Sequence, residues 1–593
     1  MMDAKTVKKE TAGGSFLIER RTPEEIFTPE DFSEEHRMIA DTCREFVASE
    51  VTPNVAAMEG HDWQTVRELI KKAGDLGLHG ATVPEELGGL DLDQTTAAII
   101  AEYTGTVSGF GVTLSAHATI GMLPILYFGS EDLKRKWIPG IVAGETVAAY
   151  CLTEPGSGSD ALGAKTIARL SEDGTEYILN GEKMWITNGG FADVFIVFAK
   201  IDGDRKKFSA FLVERSENCR PGAEEHKMGI KSSSTTAIIL SDAHVPATNL
   251  IGNVGDGAKI AFNILNVGRF KLGAAVVGGA KTALGSAVRY ANERQQFGVP
   301  ISTFGAIKYK LAEMAIRTWV AESITYRTVG MIDSLIGDGA DDGKKLRSID
   351  EYAVECSINK VVCSETLDYV ADETVQIYGG YGYSADYPAE KFYRDSRINR
   401  IFEGTNEINR LLIPGQLLKR AAKGGLELLG AVRRLQDELS SPPAADDSEQ
   451  TDAVLSHEAR LAENAKKIAL LILGTAAEKF GENLSEQQEL LMGVADVIMD
   501  AYQMESACLR AQKAAGRGSA EYQIVMAQIF CFDAISRIET KAKATLAATA
   551  SGDELSKLYL ALRRLTENNA PFDTFAARRR IAGTLTAANR YIF

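Results

Sequence analysis

The sequence lacks paired cysteines. Its seven, at positions 43, 151, 219, 356, 363, 508 and 531, form no Cys-x-x-Cys pair and follow no regular spacing along 593 residues. A disulfide framework is disfavoured, and reduced thiols in a cytoplasmic compartment are expected. The seven histidines are scattered without a His-Glu-x-x-His or an i, i+4 pair, so no metal site is expected. Positive charge is also short. With 65 Lys and Arg against 81 Asp and Glu the net charge is -16, which argues against a nucleic-acid partner or an anionic membrane surface. Met1 to Glu19 contains no secretory apolar run, and no later stretch is expected to span a membrane without charge. No integral membrane segment is expected.

Two nucleotide signatures are missing as well. Gly278-Gly279-Ala280-Lys281-Thr282 has Ala280 where a phosphate loop needs Gly before Lys, and it sits inside a predicted helix rather than after a strand. Packing by small residues is the better reading. No Gly-x-Gly-x-x-Gly follows a predicted strand, which disfavours a Rossmann site.

What is present is a chain long enough for several cores, with 45% hydrophobic residues. Apolar residues at three- and four-residue steps predict helices over Glu34 to Val51, Gln64 to Leu76 and Asp93 to Tyr103. From Val147 to about Gly255 short strands take over, with Asn180-Gly181 read as a hairpin turn. Long helices return at Gly257 to Asn292, Thr303 to Ile336, Asp350 to Tyr378 and Asn406 to Lys423. The expected class is multidomain α+β: a helical domain at 30–146 after an extension at 1–29, a middle β-barrel or sandwich at 147–255, and a second helical domain at 256–423. A linker at 424–452, Pro-, Ser- and acid-rich over Ser440 to Asp452, then leads to an additional helical domain at 453–593, where Ser485 to Gln488 reads as a capping box.

The most informative segment is Arg400-Ile401-Phe402-Glu403-Gly404-Thr405-Asn406-Glu407, in which one carboxylate stands among apolar neighbours beside a glycine that permits close approach. A helix-end Glu before Gly is by itself usually a cap or turn residue. Its company is Tyr150-Cys151-Leu152-Thr153-Glu154-Pro155-Gly156-Ser157-Gly158-Ser159, Lys183-Met184-Trp185-Ile186-Thr187, Arg294-Gln295-Gln296-Phe297-Gly298 and Gln376-Ile377-Tyr378-Gly379-Gly380. In that order these segments resemble the acyl-CoA dehydrogenase family, most closely its very-long-chain branch with an extra C-terminal helical domain.

The resemblance implies an FAD enzyme acting on acyl-CoA. Glu403 would be the base that takes the α-proton while a hydride leaves the β-carbon for the flavin. The segment Phe262 to Arg269, where some subfamilies carry the base, contains no carboxylate. Tyr150, Leu152, Thr153, Gly158, Ser159, Trp185, Ile186, Thr187, Thr405 and Glu407 would surround the flavin. Arg294, Gln296, Phe297, Gln376, Gly379 and Gly380 would reach the FAD of a neighbouring subunit, which implies a homodimer. Ser159, Asn266, Arg269 and Gly404 would meet the acyl-CoA, with Arg269 placed for the CoA moiety. Phe304-Gly305 departs from a His-Gln pair of shorter-chain members, and Glu407 stands where Gln or Asp is common.

Small residues at Gly111, Ser115 and Ala116 imply a deep acyl tunnel. The expected reaction is oxidation of long- to very-long-chain acyl-CoA to trans-2-enoyl-CoA, the first step of fatty acid β-oxidation, with electrons passed to an electron-transfer flavoprotein. The alternatives are an acyl-CoA oxidase and a non-enzymatic assembly protein on the same fold.

Overall fold

A computed structural model describes residues 12–337, 339–440, 453–518, 520–567 and 571–593. The first layer contains α1 (Glu34–Phe46), α2 (Val55–Glu59), α3 (Trp63–Asp75), α4 (Gln94–Thr104), α5 (Ser108–Ser115), α6 (Leu123–Phe128) and α7 (Glu131–Val142). Their starts are set by side chains: Ser33 accepts from His36 N–H, Asp62 from Thr65 N–H and Asp93 from Thr96 N–H. A π-helical turn, Ala116–Gly121, joins α5 to α6. Ser108–Phe128 is an uncharged 21-residue stretch long and apolar enough to cross a membrane, contrary to the sequence expectation. It is 83% buried within the protein, and Gly257–Glu293, which passes the same criteria, is 72% buried.

The middle layer is one mixed sheet in the order β6-β7-β3-β2-β4-β5-β8, with β1 paired parallel to β4. Its strands are β1 (Ala148–Cys151), β2 (Ile167–Leu170), β3 (Glu176–Thr187), β4 (Val194–Ile201), β5 (Phe208–Glu214), β6 (Cys219–Glu224), β7 (Thr235–Pro246) and β8 (Leu250–Ile251). The hairpin expected at Asn180-Gly181 is absent. Strand β3 runs straight through, because Gly181 at φ 155 lets the chain press on Thr166 instead of reversing. Register shifts against β7 fall at Leu179/Gly181 and at Lys183/Ile186.

The second helical region contains α8 (Gly257–Glu293), the short hairpin β9 (Gln295–Gln296) and β10 (Val299–Pro300), α9 (Gly305–Ile336), α10 (Asp342–Glu351), α11 (Ala353–Tyr378), α12 (Pro388–Ser396) and α13 (Asn406–Ala422). Gly278 of α8 faces the Glu102 carbonyl of α4 so closely that a Cβ could not fit, so the phosphate-loop lookalike is a helix crossing.

Beyond it lie α14 (Leu428–Ser440), α15 (Ser456–Phe480), α16 (Gln488–Gly516), α17 (Glu521–Thr549), α18 (Gly552–Thr566) and α19 (Thr574–Ala588). Part of the expected linker is therefore helical: Leu428, Ala431 and Leu435 of α14 are buried. The expected capping box at Ser485 does not form, since residues 481–486 make a 3-10 turn and α16 begins only at Gln488. Residues 12–29 of the expected N-terminal extension are tied into the fold, as is Glu30 just after it. Phe16 packs on Tyr502 with ring centroids 4.7 Å apart, and Glu30 pairs with Arg510 of α16.

The additional helices share one continuous apolar core with α8, α9 and α11. Ion pairs from Arg327 of α9 to Glu505 of α16 (2.6 Å) and from Arg510 of α16 to Glu322 of α9 (2.7 Å) cross that junction fully buried. Losing either partner of such a pair strands a buried charge, so the junction is rigidly specified.

Candidate active site

Glu403 stands on the turn that leads from Arg397–Arg400 into α13. The backbone is left-handed at two consecutive residues, Glu403 (φ 58) and Gly404 (φ 79). For a glutamate this conformation is strained, and the surroundings hold it. Thr405 caps α13 by accepting from Ile408 N–H (3.2 Å), so its side chain is already engaged. Asn409 donates to the Gly404 and Thr405 carbonyls at 2.9 and 3.0 Å. From below, buried Lys360 of α11 donates to the Gly404 carbonyl and to Asn406 Oδ1, both at 2.7 Å.

The carboxylate projects over Gly268 of α8 and lines a cavity between α4, α5, α8 and the sheet. Its Oε2 is buried without a hydrogen-bond partner. Burial raises the Glu403 carboxyl to about 7, against the opposing pull of Arg269 and Lys360. Burial equally lowers Lys360, to about 7. A carboxyl held near neutrality and free of donors is a proton acceptor in waiting.

Tyr150 on β1 is buried with its hydroxyl unpartnered, near enough to Glu403 for that carboxylate to add to the burial that raises its phenol. Leu152 and Thr153 follow it, half-buried, and the Thr153 carbonyl accepts from Met184 N–H at 2.9 Å. That bond sets the Leu152–Thr153 turn beside Trp185. The register shift in β3 gives Trp185 a positive φ of 60 and leaves it 54% exposed, while Ile186 is buried in the core and Thr187 lines the cavity. The next loop is anchored by Glu154, which accepts from Lys183 Nζ (2.7 Å), Thr166 N–H (3.0 Å) and Lys165 N–H. Burial opposes it, but Lys183 and the backbone donors hold the Glu154 carboxyl below its ordinary range. The rim it supports is open: a Cβ at Gly156 or Gly158 would meet nothing within 4 Å, and Ser159 is exposed.

The remaining expected residues are distributed differently. Arg294, Gln296, Phe297, Gln376, Gly379 and Gly380 lie at the far end of α8 and α11, roughly 38 Å along the helix axis from Arg269. Phe297 is 94% exposed, and nothing lies near a Cβ placed at Gly379 or Gly380. One chain does not bring both groups to one place. Arg269 is not at the surface for CoA: it is buried, donating to Asn266 Oδ1 (2.8 Å) and to the Glu403 carbonyl (3.4 Å). Asn266 in turn donates to Asp350 (3.2 Å), so both residues serve the Glu403 turn. Glu407 is exposed in the first turn of α13, where its charge suits the helix N-terminus. Lys360 and Asn409 were not singled out from the sequence.

Four domain profiles match the chain: acyl-CoA dehydrogenase N-terminal domain over residues 33–145, middle domain over 149–243, C-terminal domain over 255–418, and a further acyl-CoA dehydrogenase C-terminal domain over 464–564. The chain belongs to the acyl-CoA dehydrogenase family. It is 48% identical over 588 residues to a Bacillus subtilis (strain 168) protein named probable acyl-CoA dehydrogenase, covering 98% of each. It is 36% identical over 507 residues to the human mitochondrial very long-chain specific acyl-CoA dehydrogenase, covering 81% of this chain and 74% of the relative. The crystal structure of an acyl-CoA dehydrogenase complexed with FAD from Bacillus anthracis superimposes with a TM-score of 0.94 at 49% identity, over 98% of this chain and all of that one.

The cofactor of this acyl-CoA dehydrogenase is FAD. The residues present fit it: an unpartnered buried hydroxyl at Tyr150, an outward-held Trp185 and an open Gly-Ser rim suit a flat ring system with polar edges and a phosphate tail. When bound, FAD supplies the acceptor for the β-hydride. The protein supplies the rest. Glu403 presents its unpartnered Oε2 to the cavity as the candidate base, Gly268 leaves room for that carboxylate, and the walls are mainly apolar. Arg269, Lys360 and Asn409 hold the turn that aims the base.

Proposed function

We propose that this acyl-CoA dehydrogenase oxidises long- to very-long-chain acyl-CoA to the trans-2-enoyl-CoA and passes its electrons to an electron-transfer flavoprotein. The observation that carries the chain length is the cavity beyond Glu403. It continues between α4, α5 and α8 past Gly105, Gly111, Ser115 and Ala116 as far as Leu78 and Ala97, lined mainly by small or apolar side chains. Small residues where α4, α5 and α8 converge leave depth for methylenes, each worth about 0.8 kcal/mol on burial. The named very-long-chain relatives match 81% and 84% of the chain, in keeping with this reading.

The functional unit is a homodimer. The exposed Phe297 hairpin and the open Gly379-Gly380 turn lie too far along α8 to serve their own Glu403. They suit the adenosine and pyrophosphate half of a flavin held mainly by a second copy.

The test is kcat/KM across saturated acyl-CoAs of increasing length, with an electron-transfer flavoprotein as acceptor and peroxide measured alongside. A maximum at long chains and little peroxide support the reading. A short-chain maximum, or peroxide matching turnover, contradicts it.

A further inference from the structure

Helix α8 presents one lysine to the acyl cavity. Lys271 follows Gly268 by three residues, about 4.5 Å of helix rise, and lines the cavity with Leu272 and Ala275 on the same helix. Its ammonium donates to Thr119 Oγ1 at 3.1 Å, on the π-helical turn across the cavity. Among the described residues no carboxylate pairs with it. Other buried lysines of this protein are fully engaged: Lys281, ten residues further along α8, meets Glu102 and Glu322, and Lys183 meets Glu154.

A cation with one neutral partner in an apolar channel is costly, and a Met or Leu would fill the same space without that cost. Burial draws the Lys271 amine down to about 8, and among the described residues no acid offsets it. The reaction itself makes no use of it, because the proton leaves through Glu403. An aliphatic chain passing Lys271 would strip water from the ammonium and return nothing.

We propose that Lys271, steadied by Thr119, recognises a carboxylate carried on the acyl chain, so that the cavity accepts ω-carboxyacyl-CoAs as a second substrate class. This rests on the reading that the cavity beyond Glu403 holds the acyl chain. The carboxylate meets the ammonium about one helical turn beyond the base, clear of the carbons that lose the proton and hydride. The dehydrogenation is the same for both classes, and only the binding of the chain differs.

The test compares suberyl-CoA with octanoyl-CoA and dodecanedioyl-CoA with dodecanoyl-CoA, in the wild-type flavoenzyme and in Lys271→Met. The expected result is a fall of at least fivefold in the diacid-to-monoacid ratio of kcat/KM for one pair or both. It should arise from a higher KM for the diacid and a lower KM for the unsubstituted chain. A ratio that moves less than fivefold in both pairs, including equal losses on both substrates, overturns the assignment. Should Lys271→Met not retain flavin, Thr119→Val decides instead, with at least a twofold fall expected and any smaller change contradicting the proposal. If no saturated acyl-CoA bleaches the wild-type flavin, the acyl-cavity reading fails and the Lys271 assignment falls with it. If octanoyl-CoA bleaches it and the ratios hold, only the Lys271 assignment fails.

Discussion

Gly268 lies directly against the carboxylate of Glu403: a Cβ at position 268 would stand 2.8 Å from Oε2 and 3.0 Å from Oε1. The absence of a side chain there is what lets the base reach the cavity. Gly268→Ala is therefore expected to keep the fold and the yellow colour but to displace the carboxylate, with kcat falling about 10- to 100-fold. Steady-state kinetics beside a flavin absorbance spectrum check this, and unchanged kcat would show that the carboxylate has another way into the site.

Glu403→Gln preserves the shape of the turn and removes the proton acceptor. Turnover should fall by about 10²- to 10⁴-fold while bound flavin is retained. Rapid-mixing measurement of flavin reduction separates this from a defect in reoxidation.

Because burial lifts the Glu403 carboxyl to about 7, the base is ionised only above that range, and kcat/KM should rise with pH through about 7 to a plateau. Lys360 helps to hold that carboxyl down. Lys360→Met removes the opposing cation, so the acidic limb should move to higher pH and kcat/KM at neutral pH should fall. A limb that stays in place would mean that Lys360 only braces the Gly404 carbonyl.

The Lys183–Glu154 pair anchors the Gly156–Ser159 loop with both charges almost wholly enclosed, at 0% and 5% side-chain exposure. Lys183→Met would leave Glu154 charged with only the Lys165 and Thr166 backbone donors, at a cost of about 3–5 kcal/mol. Thermal unfolding should show a lowered midpoint, and flavin should be lost more readily on dilution.

Much of this was legible before any coordinates. The expected span of α8, Gly257 to Asn292, ends one residue short of the observed Glu293, because apolar residues recur at helical spacing along the whole segment and no proline interrupts it. Glu403 could be picked out because the companion segments at Tyr150–Ser159, Lys183–Thr187, Arg294–Gly298 and Gln376–Gly380 set it in a family pattern, whereas a Glu before Gly reads alone as a cap or turn residue. The break in β3 was misread, since Asn-Gly favours a hairpin locally while pairing with β2 and β7 keeps the strand extended. Lys271 and Lys360 were invisible for a related reason. A single cation in an apolar helix looks like a solvated position until the neighbouring helices are placed around it. Arg269 was expected to meet the CoA moiety because the resemblance implies it, and only the packing of α8 against the Glu403 turn shows it buried.

The most direct test is an anaerobic titration of the purified flavoprotein and of its Glu403→Gln variant with saturated acyl-CoAs of increasing length, following the visible flavin band. Bleaching of the wild type, strongest with long chains, and no bleaching of the variant over the same period is the predicted result. Bleaching of Glu403→Gln at the wild-type rate, or a wild-type flavin that no acyl-CoA reduces, would contradict the assignment of Glu403 as the base in an acyl-CoA cavity.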